Sequence, residues 1–188
     1  MLDPVETMAA AVHDVRGSVG SIRLALTSVL DDIDDGDVEF RRSMLSGAEA
    51  ECRRLNASLT ALPAIVAAGV DSSAPAAVDL RPSLEAACEE AGRRQVNVKL
   101  GVAGRVAASV RAESLAPAIA ALCIVVGDGD ADVVVSASED AGRARLTVAR
   151  ADGGQVRWDR AVIRGLADSI GADLVGGSDG VELLFERT

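Results

Sequence analysis

The chain has 188 residues, of which 49% are hydrophobic, with one Trp, two Phe and no Tyr, and a formal net charge of −10. This length allows one or two small domains with an aliphatic core. The acidic balance argues against nucleic acid or an anionic membrane as the main partner, because phosphate contacts require clustered Lys and Arg. No apolar stretch approaches the roughly 20 residues that cross a bilayer, and MLDPVETM lacks the features of a secretory signal.

The three cysteines, Cys52, Cys88 and Cys123, lie far apart in the chain, each within a predicted helix. Their odd number and wide spacing argue against a disulfide framework or a zinc site. We therefore expect buried, reduced thiols in a cytoplasmic protein.

Two stretches of the first 70 residues carry apolar residues at the alternating spacing of three and four that is typical of a heptad seam. The first seam is Val5, Met8, Val12, Val15, Val19, Ile22, Leu26, Val29 and Ile33, and the second is Leu45, Ala48, Cys52, Leu55, Leu59, Leu62 and Val66. The acidic segment DDIDDGD separates them, with Gly36 as the expected turn. The pattern predicts an antiparallel hairpin of two helices, each on the order of 40 Å long. Pro63 should kink or loosen the last turn of the second helix.

A lone hairpin of this length cannot cover both of its seams. The usual solution is to pair with a second copy, so we expect a homodimer whose two hairpins form a four-helix bundle. The alternative is that the hairpin packs on the C-terminal domain of its own chain.

Residues 69–78, GVDSSAPAAV, have the composition of a linker and divide the hairpin at 1–68 from a domain at 79–188. In the second domain the patterns predict the order helix, strand, strand, helix, strand, strand, helix, strand, strand. The helices should cover one face of a mixed sheet. The predicted fold is therefore a helical hairpin followed by an α+β sandwich.

His13, the single histidine, follows the seam residue Val12 and so projects about 100° away from the seam. Its side of the helix also carries Arg16, Gly17, Gly20, Leu24 and Thr27. Because glycine within a helix costs about 1 kcal/mol relative to alanine, the two glycines predict the close approach of another surface. Arg16 can hold a phosphate oxygen, and Asp14 can orient the imidazole or accept its proton. These groups suit a nucleophilic histidine that carries a phosphoryl group, although a lone histidine on a helix surface usually has no such role.

Residues 13–26, HDVRGSVGSIRLAL, resemble the H-box of the two-component histidine kinases. They resemble still more the bacterial histidine phosphotransferases, which join such a hairpin to a degenerate kinase-type ATPase domain. In that family an acidic residue follows the histidine and a Val-Gly-small-Ile segment comes later, like Asp14 and residues 19–22 here. The usual proline before the valine is replaced by Ser18, which should leave the first helix less kinked. The order of the C-terminal elements also resembles the ATP-binding domain of these kinases.

The resemblance implies specific positions for an ATP site, and this sequence departs from them. Ala121 and Val125 stand where the family has magnesium-binding asparagines, and Arg150 stands at the adenine-reading aspartate. Asp152, followed by two glycines, is a remnant of the family loop, and residues 154–158 are too short for a nucleotide lid. We therefore expect no ATP binding and no cofactor of the chain's own.

Without ATP, the resemblance implies that His13 takes its phosphoryl group from the phospho-aspartate of a receiver domain, on a response regulator or a hybrid histidine kinase. It would then pass the group to a second receiver. Arg16 would help to neutralise the transferring group, and the receiver's acidic pocket would supply Mg²⁺. The expected docking surface is Gly17, Gly20, Ser21, Leu24 and Thr27 of the first helix with Arg41 and Arg42 of the second. Both arginines could equally belong to a merely solvated face.

Two other functions remain open for this sequence. One is a non-catalytic dimeric scaffold related to the histidine kinases, in which His13 has no role. The other is an ATP-using histidine autokinase with an atypical nucleotide pocket.

Overall fold

The computed structural model describes residues 4–31, 37–70, 73–102, 104–127, 131–140, 142–154, 160–176 and 180–186. The elements in chain order are α1 (Pro4–Asp31), α2 (Val38–Val70), β1 (Ala76–Asp79), α3 (Leu80–Arg93), β2 (Val98–Val102), β3 (Ala107–Val110), α4 (Ala112–Gly127), β4 (Val133–Asp140), β5 (Arg143–Arg150), α5 (Arg160–Ile170), β6 (Asp173–Gly176) and β7 (Gly180–Phe185). The predicted mixture of helices and strands is confirmed, and β1 is an addition to it. The predicted turn at Gly36 lies outside the described residues.

The N-terminal hairpin consists of α1 and α2, which pack against each other along their length. Asp37 begins α2 as an N-cap, because its Oδ1 accepts hydrogen bonds from the backbone N–H groups of Glu39 and Phe40, each at 3.0 Å. The second helix continues past Pro63 to Val70. Proline removes one backbone hydrogen bond, and the helix continues despite this loss.

The C-terminal part contains a five-stranded mixed sheet in the order β2-β4-β5-β7-β6. Only the β2–β4 pair is parallel among the pairs of this sheet that the structure describes. The helices α3, α4 and α5 enclose an aliphatic core with the sheet, and the largest fully buried side chains include Leu84, Leu115, Ile119, Leu146, Ile163 and Phe185. The expected α+β arrangement is thereby confirmed.

The predicted linker is shorter in the structure than in the sequence analysis. α2 reaches Val70, and β1 begins at Ala76 and pairs with β3 in a separate two-stranded antiparallel sheet. The composition of residues 69–78 signals a turn-rich segment, but it gives no sign of the backbone pairing that β3 offers. Residues 71 and 72 lie outside the described part of the chain.

The second helix of the hairpin has two buried sides. Ala48 and Ala57 are both buried, and nine residues of helix place them about 180° apart. Ala48 belongs to the heptad seam of α2. Because α2 also contacts α4 and α5, we infer that Ala57, on the opposite side, faces those two helices. The hairpin therefore packs on the C-terminal domain of its own chain, while a third side of it stays open.

Candidate functional site

His13 is exposed on α1. With 3.6 residues per turn, Gly17, Gly20 and Leu24 lie within about 40° of it and form one line along the helix. Arg16, Ser21 and Thr27 flank that line, and all of these side chains or glycine positions are exposed. Asp14 belongs to α1, but its side chain lies outside what the structure describes.

The two glycines on this face have open space in front of them. A Cβ atom built on Gly17 or on Gly20 would meet no heavy atom within 4 Å. Packing within the chain therefore gives no reason for glycine at either position, although each weakens the helix by about 1 kcal/mol relative to alanine. Leu24 is 68% exposed and is the largest apolar side chain on the line.

Ser18, at the position of the family's proline, is buried and holds the two helices of the hairpin together. Arg54 of α2 donates a hydrogen bond from Nη2 to Ser18 Oγ at 3.0 Å and also pairs with Glu51 Oε2 at 2.8 Å. This contact joins the helices little more than one turn beyond His13. The sequence does not indicate this role of Arg54, because an arginine that follows Cys52 within the second seam gives no sign of which helix it reaches.

Arg41 and Arg42 do not lie near His13. The Ser18–Arg54 contact shows how the antiparallel helices are aligned, and by this alignment Arg41 and Arg42 lie about 25 Å from His13 along the hairpin axis. Arg41 is half-buried and already engaged in a polar interaction, and Arg42 is exposed. Both remain predictions for the far end of a docking surface.

Phe40, next to these arginines, is an exposed aromatic side chain at the start of α2. The sequence pattern gives no sign that it is exposed. Gly47, further along α2, is also exposed with no atom within 4 Å of a Cβ.

The two heptad seams divide into a covered half and an exposed half. Val15, Ile22 and Val29 of α1 are half-buried, as are Leu55 and Leu62 of α2. The alternate seam positions are exposed, and each recurs every seven residues. Val38, which lies seven residues before the first residue of the second seam, is exposed as well and extends the series. We call this set the open stripe: Val12, Val19 and Leu26 of α1 with Val38, Leu45, Cys52, Leu59 and Val66 of α2.

The cysteines differ in exposure, which corrects the expectation that all three are buried. Cys52 is exposed because it lies on the open stripe, Cys88 is partly buried, and Cys123 is buried. Burial, with a smaller contribution from Cys88, raises the pKa of the Cys123 thiol to about 12. Burial beside Glu85 also raises the pKa of Cys88.

In the C-terminal domain, Arg150 and Asp152 engage each other. Arg150 donates from Nε and Nη2 to the two carboxylate oxygens of Asp152, at 3.0 and 2.7 Å. The backbone N–H of Gly154 donates to the same carboxylate at 2.9 Å. These hydrogen bonds lower the pKa of Asp152 far below its usual range.

The positions that the resemblance assigns to magnesium-binding asparagines hold apolar groups. Ala121 is buried and Val125 half-buried in α4. The stretch 155–159 lies outside the described residues. Within the part of the chain that the structure describes, no three His, Cys, Asp or Glu side chains gather into a possible metal site, and no helix is long and apolar enough to cross a membrane.

Several solved structures are similar to this chain. Acinetobacter baumannii histidine kinase AdeS is 10% identical with a TM-score of 0.47, over 94% of this chain and 98% of that one. A bacterial phosphotransferase is 13% identical with a TM-score of 0.40, over 99% and 98%. Histidine kinase ThkA in complex with response regulator protein TrrA is 10% identical with a TM-score of 0.49, over 96% and 60%.

These three TM-scores are below 0.5, so the likeness carries no argument about activity or partners. No protein-family model matches the chain. No curated protein matches it either.

Proposed function

We propose that this chain is a histidine phosphotransferase that relays phosphoryl groups between the aspartates of receiver domains through His13, and that it works as a homodimer. The observation that carries the proposal is the exposed line on α1. There an accessible imidazole stands beside two helix-interior glycines at which an added Cβ would meet none of the described atoms within 4 Å. A flat backbone beside a nucleophile suits the close approach of a large partner that brings its own phosphoryl group.

The transfer needs one nucleophile and groups that stabilise charge. A nitrogen of the neutral imidazole attacks phosphorus, forming a P–N bond while the P–O bond to the receiver aspartate breaks and its carboxylate leaves with the electron pair. The other ring nitrogen keeps its proton, and Asp14 is proposed to accept a hydrogen bond from it. Arg16, exposed one turn further along α1, is proposed to contact the equatorial phosphoryl oxygens. Mg²⁺ is expected to come with the receiver.

The state of the C-terminal domain supports a protein source of phosphate over ATP. Arg150 stands in place of the adenine-reading aspartate, and its guanidinium donates two hydrogen bonds to Asp152. The carboxylate of Asp152 is therefore already occupied within its own loop. Apolar side chains in place of the asparagines offer no oxygen to a metal ion.

The test is phosphoryl transfer with two donors. The full chain and its His13→Ala variant are incubated with a radiolabelled phospho-receiver domain, and separately with radiolabelled Mg-ATP. We expect acid-labile label on the wild type from the receiver alone and none on His13→Ala. Label from ATP would mean that the chain is an autokinase. Receiver binding without label would leave the non-catalytic scaffold as the function.

Two arginines on α1 provide a matched pair for the same assay. Arg16 and Arg23 are both exposed and lie seven residues apart on nearly the same side of the helix. Arg16→Ala should slow the transfer roughly 10- to 100-fold, the effect of losing a hydrogen bond to a charged group. Arg23→Ala should leave the maximal rate unchanged. Equal effects of the two variants would argue against a contact between Arg16 and the transferring group.

A further inference from the structure

The open stripe on the hairpin is a long apolar surface that none of the described residues covers. Among the described side chains of the hairpin, the exposed large apolar residues lie in this stripe or beside it at Leu30, apart from Leu24 and Phe40. In the C-terminal domain, α4 and α5 contact α2, and α5 also contacts α1, yet the residues of the stripe stay exposed beside these contacts. Within the chain, α1 and α2 bury the alternate seam positions, those that do not belong to the stripe.

The size and repeat of the stripe fit a second copy of this chain. The stripe runs about 42 Å along α2, from Val38 to Val66, and about 21 Å along α1, from Val12 to Leu26, and each helix is about 10 Å wide. These lengths give a face on the order of 600 Å², which is near the lower end of the area that each partner buries in a stable interface. A seven-residue repeat on both helices is complementary to another copy of itself through knobs-into-holes packing.

The middle of the stripe is the layer that contains Cys52. On α2 it is the third of five positions in the series Val38, Leu45, Cys52, Leu59, Val66, and on α1 Val19 is the second of three. The Ser18–Arg54 hydrogen bond places Val19 and Cys52 at the same level to within about one helical turn.

We propose that Cys52 lies in the central layer of the homodimer and is the thiol that assembly buries. This rests on the dimer of the proposed function. Full overlap of two stripes requires a two-fold axis, which runs either along the hairpins or across them at their middle. If the axis runs along the hairpins, each layer of one chain faces the same layer of the other chain. If the axis crosses the hairpins at their middle, only the middle layer does so. The Val19 and Cys52 layer therefore meets its own copy in both arrangements.

The first test measures shielding of the thiol. The full chain reacts with N-ethylmaleimide at nanomolar and at tens of micromolar protein, and peptide mass spectrometry gives the rate at each cysteine. Light scattering over the same range gives the mass. We expect alkylation of Cys52 to slow at least 10-fold as the dimer forms, while Cys123 reacts slowly at both concentrations because it is buried in each chain.

The second test uses two leucines that are two residues apart on α1. Leu26 lies on the open stripe and is 45% exposed, whereas Leu24 lies off the stripe and is 68% exposed. Leu26→Glu should give a folded monomer by circular dichroism and light scattering, in which Cys52 reacts quickly at every concentration. Leu24→Glu should remain a dimer with a shielded Cys52, and the measurement that separates the two variants is the mass by light scattering at equal folded content.

Two outcomes would overturn the proposal: a wild-type chain that is monomeric throughout, or a dimer in which Cys52 reacts as quickly as in the monomer. Loss of the dimer in both leucine variants would also contradict the assignment of the stripe. Failure of the relay is a separate result, because a shielded dimer that accepts no phosphoryl group would refute the transfer and leave the interface standing.

Discussion

The buried hydroxyl of Ser18 gives the hairpin a polar contact that a proline could not. Removing it in Ser18→Ala should reduce the free energy of unfolding by about 1 kcal/mol, since the Arg54 hydrogen bond is lost while Arg54 keeps its pairing with Glu51. Arg54→Ala should cost a similar amount. In a double-mutant cycle by urea unfolding at one protein concentration, we expect the two changes to be coupled by about 1 kcal/mol. Additive effects would mean that the contact contributes nothing to stability.

The thiol of Cys123 should make stability fall in alkaline solution. Its pKa is raised from 9.0 to about 12 in the folded chain, so above pH 9 the unfolded state releases a proton that the folded state retains. The free energy of unfolding should then decrease by up to about 1.4 kcal/mol for each pH unit between these values. The chain has no tyrosine to obscure this change. Urea unfolding with reductant at pH 8 and pH 10 should show a smaller decrease for Cys123→Ala, and equal decreases would contradict the prediction.

The elements follow from the sequence where one pattern dominates. The heptads predicted α1 and α2, and the alternation of residues 95–102 predicted β2, because burial on one side imposes a period of 3.6 or 2. The side of a helix that meets a particular partner does not follow in this way. The heptads made Cys52 and Leu55 equivalent seam residues, yet Cys52 is exposed and Leu55 half-buried.

The face of α1 that carries His13 is also predictable only in part from the sequence. The exposure of His13, Gly17 and Gly20 follows from their phase relative to the seam. The position of Arg41 and Arg42 far from His13 depends on the alignment of the two helices, which the Ser18–Arg54 contact sets. A pattern read along one helix at a time contains no information about that alignment.

Helix α1 should become more stable and less able to accept a partner when its glycines are replaced. A methyl group at Gly20 meets no atom of the chain, so Gly20→Ala should raise the free energy of unfolding by about 0.5–1 kcal/mol. The same methyl group should weaken transfer from a receiver, because it protrudes on the face of His13. Gly92→Ala in α3 is the control, since its site is equally open and lies on another element. If Gly20→Ala left transfer unchanged, the glycine would have no role in docking.

At the scale of the whole molecule, α2 joins the hairpin to the C-terminal domain through its side at Ala57. The chain should therefore unfold in one transition at a given protein concentration. A charge placed there cannot be hydrated without separating α2 from α4 and α5, so Ala57→Glu should divide unfolding into two transitions and raise the radius of gyration. Ala50→Glu, at an exposed position of the same helix, should behave like the wild type. Calorimetry and small-angle X-ray scattering measure the two effects, and a single transition for Ala57→Glu at the wild-type midpoint would show that the two parts do not stabilise each other.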